Sequence, residues 1–350
     1  MNSAPNSAVN SAGRLLFRAD GNATIGLGHV VRSLALADMV GAVAPALVLA
    51  RPAPAVVRQL VEQAGLPLHE LPDLPPAQEA DYLVEQVLRP ADVLVLDGYG
   101  FDAEYRRRVR ASGCRLVCID DLHEGFFPAE LIINHSPGVT AADYAAESAT
   151  RFCLGPAFSL LRKPFRRHAA PPRPAAPVAS VLVCFGGADP LQLTARTLAA
   201  LLALGGLARI GLLLGGAAEA PTALEELLRA HPAQDVTLYR SLSAAELVPV
   251  LLEYDAVICP ASTILIESLV LGRPVLTGYY ADNQRALAAS VHAHQQAYSI
   301  GDFAAHSAPA LTAALRAGLA WLATHHRPPY AAHLAPQELR ARFRELLPGA

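Results

Sequence analysis

The chain has 350 residues, 53% of them hydrophobic and 17% charged, with a formal net charge of -3. At about 100 to 200 residues per domain this length predicts two globular domains, and so apolar a composition excludes a disordered chain. Charges of both signs are interspersed, which leaves no basic face and excludes nucleic acid as a partner, and no apolar run reaches the roughly 20 residues of a membrane span.

The polar start MNSAPNSAVNSAG has neither a basic leader nor an apolar core, so residues 1–13 read as a disordered tail. Apolar runs then alternate with helical patterns, the signature of βα units around parallel sheets. Strands are predicted at 15–19, 46–50, 92–97, 115–120 and 130–134, with helices near 29–42, 53–64, 78–89 and 102–112. A second series of strands follows at 180–185, 209–215, 235–239, 255–259 and 274–278. Between them runs RKPFRRHAAPPRPAAP (162–177), whose prolines oppose both helix and central strand and favour an extended connector. The expected division is a first domain over 14–165, a linker over 166–177 and a second domain over 178–330. In the remaining stretch, 331–350, the pattern PQELRARFRELL puts Leu339, Phe343 and Leu346 or Leu347 on one side of a helix that returns to the first domain. Five cysteines, odd in number and without a CxxC pair, read as buried thiols of a reducing cytoplasm.

The fold class expected is therefore α/β, two Rossmann-like domains with parallel sheets facing a cleft, and ligands of such sheets bind at the carboxyl ends of the strands. After the first strand comes Asp20-Gly21-Asn22-Ala23-Thr24-Ile25-Gly26-Leu27-Gly28-His29 and then a helix. Gly26 and Gly28 let backbone approach a ligand, Asn22 offers hydrogen bonds, and the helix start carries unpaired N–H groups. The turn is neither a dinucleotide fingerprint nor a P-loop. His29, in the first helical turn where the dipole disfavours an imidazolium, is a candidate general base, with Asp20 as the carboxylate that orients its ring; a helix-capping structural histidine is the plainer alternative. Asp97-Gly98-Tyr99 closes another strand at the cleft edge. Asp120 and Asp121 repeat the pattern, with capping favoured over a metal site.

In the second half, Gly186 and Gly187 follow a strand and suit a diphosphate, while Asp189 before Pro190 suits either that site or a helix N-cap. Ser262 and Thr263 stand between a strand and a helix, where hydroxyls and N–H groups meet a phosphate. Glu267, one turn on, is placed to take both ribose hydroxyls or to pair with Arg273. Asn283 and Gln284 open a further helix at the same edge, which Asp282 is placed to cap.

The segments FRADGNATIGLGHVVRSLALAD, VLDGYGFDAEYRRRVR, IDDLHEGFFPAELIIN, LGPAFSLLRKPF, VLVCFGGADP and ICPASTILIESLVLGRPV with ADNQ together resemble the UDP-2,4-diacetamido-2,4,6-trideoxy-β-L-altropyranose hydrolase family of pseudaminic acid biosynthesis. The resemblance implies a GT-B fold, with UDP held by Gly186, Gly187, Asp189, Ser262, Thr263 and Glu267. It also implies water activation by His29, with Asp20 and Tyr99 in the same pocket and Asn22, Gly26, Gly28, Asp97, Asn283 and Gln284 around the sugar. Gly98 departs from the family, which often has a larger polar residue before this tyrosine. The expected partner is a UDP-sugar, with no cofactor and no metal. A glycosyltransferase of the same architecture and a non-catalytic nucleotide-sugar binding protein stand as alternatives.

Overall fold

The structure, a computed structural model, describes residues 13–22, 25–186, 189, 191–215, 222–330 and 334–347. The expected tail therefore lies, apart from Gly13, outside the described residues.

The first domain is built from β1 (Leu15–Ala19), α1 (Gly28–Val40), β2 (Ala46–Ala50), α2 (Ala55–Gln63), β3 (Leu68–Glu70), α3 (Pro76–Tyr82), β4 (Val93–Asp97), α4 (Ala103–Arg110), β5 (Arg115–Ile119), the short β6 (Phe126–Phe127), β7 (Leu131–Asn134), the short β8 (Ala145–Ala146) and β9 (Arg151–Leu154). Seven of these strands form one parallel sheet in the order β3-β2-β1-β4-β5-β7-β9. β1 and β4 are buried along their whole length, which is why LLFRA and VLVLD read as almost unbroken apolar runs rather than alternating ones.

After α5 (Lys163–Arg167) the second domain follows: β10 (Ser180–Cys184), α6 (Leu193–Leu204), β11 (Arg209–Leu214), α7 (Thr222–Ala230), β12 (Asp235–Arg240), α8 (Ala244–Glu253), β13 (Ala256–Pro260), α9 (Thr263–Val270), β14 (Val275–Tyr279), α10 (Asp282–Ala293), β15 (Tyr298–Asp302) and α11 (Ala308–Thr324). Its sheet is again parallel, in the order β12-β11-β10-β13-β14-β15. Each sheet reverses its winding beside its first strand, between β1 and β4 and between β10 and β13. At those two points the loops diverge and open a crevice at the carboxyl edge.

Strands β3, β9 and β15 were not anticipated. All three are edge strands of their sheets, partly exposed, and they lack the continuous apolar run that marks a buried strand. The connector also differs from the extended segment expected, because α5 forms inside it with Pro164 in its first turn, where a missing N–H is harmless. Beyond α5 the chain is extended and lies on the second domain through Ala170 N–H to Val270 O at 2.9 Å and Arg173 N–H to Gly272 O at 2.8 Å. Gly272 has φ +69, and a Cβ there would stand 2.1 Å from Pro171 O, so the strap needs glycine at that contact.

The last helix, α12 (Pro336–Leu346), packs on the first domain. Leu339, Phe343 and Leu347 share a core with Leu15, Phe17, Leu36, Met39 and Val40. Arg340 donates to the carbonyls of Val40 at 3.0 Å and Met39 at 3.3 Å, closing the end of α1. All five cysteines are reduced and buried. No helix among the described residues is long and apolar enough to cross a membrane.

Candidate active site

Helix α1 starts at the β1/β4 crevice and carries His29, Arg32 and Ser33 on one face, at the i, i+3 and i+4 spacing. All three turn toward Asp97, the last residue of β4, which is fully buried. His29 Nδ1 lies 2.7 Å from Asp97 Oδ1. Arg32 grips both oxygens of the same carboxylate, with Nε at 2.9 and 2.8 Å and Nη2 at 2.7 Å, and Ser33 Oγ donates at 3.3 Å. Burial pushes the Asp97 carboxyl up, but the Arg32 guanidinium and the His29 bond outweigh it and hold the group below the usual carboxylate range.

An ionised carboxylate only accepts, so the proton between the two groups sits on His29 Nδ1. Arg32 Nη2 lies 3.2 Å from that nitrogen, and in this tautomer two donors face each other there without a bond. In the neutral ring the lone pair is then on Nε2, and the ring is held by a buried anion. Tyr99 packs edge-on against the imidazole, with centroids 4.7 Å apart at 83°. Its hydroxyl donates to Asp121 Oδ2 at 3.2 Å and accepts from Asn283 Nδ2 of the second domain at 2.7 Å, so one phenol spans the cleft. Burial and the Asp121 carboxylate push this phenol up to about 12. Asp121 in turn holds Arg32 Nη1 at 3.0 Å.

Asp20 is not the partner of His29. Its oxygens accept from Arg51 N–H at 3.0 Å and Arg18 Nη2 at 2.8 Å, within a buried network in which Glu79 takes Arg18, Arg51 and the Tyr105 hydroxyl. The orienting role expected of Asp20 belongs to Asp97. Asp97, expected beside the sugar, is instead sealed behind His29 and Arg32. Asn22 and Gly26 exchange two backbone bonds, at 3.1 and 2.9 Å, and the Asn22 side chain accepts from Ile25 N–H at 2.9 Å. Among the described residues, nothing lies within 4 Å of where a Cβ would stand at Gly26 or Gly28. Asp120 accepts from His123 N–H at 2.9 Å and the Tyr144 hydroxyl at 3.1 Å, fastening its own loop.

On the opposite edge, Gly186 turns with φ +85, while Gly187 lies outside the described residues. Asp189 accepts from Leu193 N–H at 2.7 Å and Thr194 N–H at 2.8 Å. It thus holds the start of α6 from several residues upstream, and the helix begins at Leu193 rather than beside Pro190. Ser262 is the N-cap residue of α9 but makes no capping bond, and neither its hydroxyl nor that of Thr263 has a side-chain partner among the described residues. Glu267 is 1% exposed and pairs neither with Arg273 nor with the cleft; both its oxygens take Arg162, each at 2.7 Å. Ala281, not Asp282, occupies the N-cap position of α10, and Asp282 pairs with Arg285 at 3.0 Å. Gln284 accepts from Tyr280 N–H at 3.1 Å.

Reading the sequence missed Arg32, Ser33, Arg162 and His135, and it gave Asp121 a capping role where the structure has it holding Arg32 and the Tyr99 hydroxyl. The first two were visible as helical neighbours of His29. His135 follows β7, half-buried near Arg32, Asp121 and Asp97, and burial together with Arg32 pulls its imidazole down to about 4.

No family model matches the chain. An uncharacterized protein of Methanocaldococcus jannaschii is 24% identical over 277 residues, 76% of this chain and 55% of the relative, so the chain spans about half the length of the curated relative it matches. Among solved structures, MurG of Acinetobacter baumannii aligns with TM-score 0.59 at 15% identity, covering 95% of this chain and 99% of that one. The spinosyn rhamnosyltransferase SpnG, solved with thymidine diphosphate, gives 0.59 at 17% over 95% and 99%. LpCGTa, solved with UDP, gives 0.59 at 13% over 97% and 100%. With two parallel-sheet domains meeting at a cleft and these structures alongside it, the chain has the GT-B fold.

Proposed function

We propose that this protein hydrolyses a UDP-linked 2,4-diacetamido-trideoxy sugar at its anomeric carbon, releasing UDP and the free sugar. The observation that carries the reading is the 2.7 Å bond from His29 to the buried Asp97 at the crevice of the first sheet, which leaves a fixed imidazole nitrogen as a base. His29 Nε2 takes a proton from water as the water oxygen bonds to the anomeric carbon. The bond from that carbon to the diphosphate oxygen breaks with its electron pair going to UDP, through a transition state of oxocarbenium character. UDP is a good leaving group, and the N–H groups opening α9, with the Ser262 and Thr263 hydroxyls and the Gly186 turn, stabilise its charge as it departs. Tyr99, Asn283 and Gln284 line the sugar side of the cleft, and Gly26 and Gly28 allow the sugar's close approach.

Water as acceptor is supported by Tyr99, whose ring lies against His29 and whose hydroxyl is tied to both domains, so the base is covered on that side. A glycosyltransferase is the second reading, favoured by SpnG, a rhamnosyltransferase by name that shares the fold over 95% of this chain. Incubating the purified protein with the UDP-sugar and no acceptor separates them. UDP release with free sugar seen by NMR supports hydrolysis, release only after an alcohol acceptor is added supports transfer, and a UDP-sugar left intact in both makes the protein a binder. Near-normal turnover by a folded His29→Asn that still binds UDP removes His29 from the base role.

A further inference from the structure

Arg162 stands where the chain leaves the first domain, after β9 and one turn of 3₁₀ helix and just before α5. Its Nε and Nη2 each make a 2.7 Å bond to one oxygen of Glu267, and its guanidinium lies 4.9 Å from the Phe165 ring centroid. The two members of this pair are unequally hidden. Glu267 keeps 1% of its side chain exposed, whereas Arg162 keeps 25%. The bidentate grip uses Nε and Nη2, and Nη1 has no protein hydrogen bond among the described residues, on a side chain that keeps a quarter of its surface exposed. Glu267 lies one turn into α9, four residues beyond Thr263, and Leu161 and Phe165, which flank Arg162 in the chain, share a core cluster with Cys184, Ala261 and Ile264. This places the pair between the end of β10 and the start of α9, at the β10/β13 crevice.

A carboxylate so enclosed cannot meet a ribose in this arrangement; a guanidinium held by it can meet an anion. The other donors along this edge, the Gly186 turn and the hydroxyls of Ser262 and Thr263, are neutral, while a diphosphate brings at least two negative charges. Arg162 is also held in place before any ligand arrives, by two charge-assisted bonds and an aromatic face, so little side-chain entropy is lost on binding. We propose that Arg162 binds the diphosphate of a nucleoside-diphosphate ligand through Nη1, and that Glu267 is its positioning residue rather than a ligand of the ribose. This rests on the reading above that a nucleoside diphosphate occupies the cleft.

The test compares UDP with uridine, which lacks the diphosphate, by calorimetry on the full-length chain. Arg162→Gln is expected to weaken UDP roughly 10- to 100-fold, the loss of a charge-assisted hydrogen bond, and to leave uridine within about twofold. Glu267→Gln should reproduce that pattern in weaker form, and Arg162→Lys, which keeps the charge without the fork, should fall between. The ratio of the two affinities within one variant is insensitive to a partly unfolded sample. If Arg162→Gln does not fold, Arg162→Lys decides by the same ratio. Equal losses for UDP and uridine overturn the proposal and assign the pair to ribose or to the fold; an unchanged UDP affinity in both Arg162 variants overturns it outright. A wild-type chain that binds no UDP overturns this inference together with the function it rests on, whereas wild-type binding matched by the variants overturns the inference alone.

Discussion

Replacing Asp97 with asparagine changes one oxygen to an amide nitrogen at the centre of the network and alters almost nothing in shape. The carboxylate accepts from Arg32 through both oxygens and from His29 through Oδ1. An amide has one acceptor. With its oxygen at the Oδ1 position it still accepts from His29 Nδ1 and from Arg32 Nε and Nη2, and the NH₂ at the Oδ2 position faces Arg32 Nε and Ser33 Oγ. The Nδ1–H tautomer is then kept, and what is lost is the negative charge that stabilises the imidazolium formed when Nε2 takes the proton. Loss of general-base catalysis is worth about 10² to 10⁴ in rate, or roughly 3 to 5 kcal/mol. Arg32 keeps Asp121 at 3.0 Å, so the folding penalty should stay below the roughly 3 to 5 kcal/mol of a fully orphaned buried charge. Initial rates of UDP release, UDP affinity and thermal melting are measured together. The expected result for Asp97→Asn is a kcat lower by about 10² to 10⁴ with UDP affinity within about threefold. A folded variant whose kcat stays within about threefold of wild type would refute the role of the Asp97 charge in supporting His29 as the base.

Asn283→Ala removes the 2.7 Å bond to Tyr99 across the cleft while Asp121 still holds the phenol, so KM should rise about fivefold, close to 1 kcal/mol, with little change in kcat. An unchanged KM would make the bridge inert. Phe343→Ala empties a fully buried position between α12 and the first-domain core and should cost about 3 to 5 kcal/mol in urea unfolding, and a loss under about 1 would show that α12 is not part of that core. For pH, the His135 imidazole is depressed from 6.5 to about 4 in the fold. The folded chain therefore favours its neutral form, contributes nothing above pH 6.5, and loses stability as pH falls toward 4 because the unfolded chain takes the proton first, by up to about 3 kcal/mol. Asp97, also depressed, is lost only below the ordinary carboxylate range, so unfolding between pH 6.5 and 5 isolates His135. His135→Gln should flatten that interval; a slope identical to wild type would remove His135 as its source.

The layout of the domains could be read because central parallel strands are buried on both faces and leave apolar runs in the chain, as in LLFRA and VLVLD. Edge strands leave a weaker trace: β12 could be read from the alternation in DVTLY, whereas β3, β9 and β15 went unread. The loops that carry the candidate residues do follow strand ends, yet the pairing inside them was not legible. Asp20 follows β1 directly and looked like the neighbour of His29, whereas Asp97 stands in register with Ala19 on the adjacent strand, brought there by sheet order over 68 residues. Glu267 likewise showed its helical spacing from Thr263 but not Arg162, which lies 105 residues away. Both errors share a physical form. An acid at a buried strand end or on an apolar helix face looks like a ligand contact, but a carboxylate removed from water is unstable unless a cation or proton donor faces it. Burial thus selects an acid for what it holds, and the group left for a ligand is the partner it fixes: the imidazole at Asp97 and the guanidinium at Glu267.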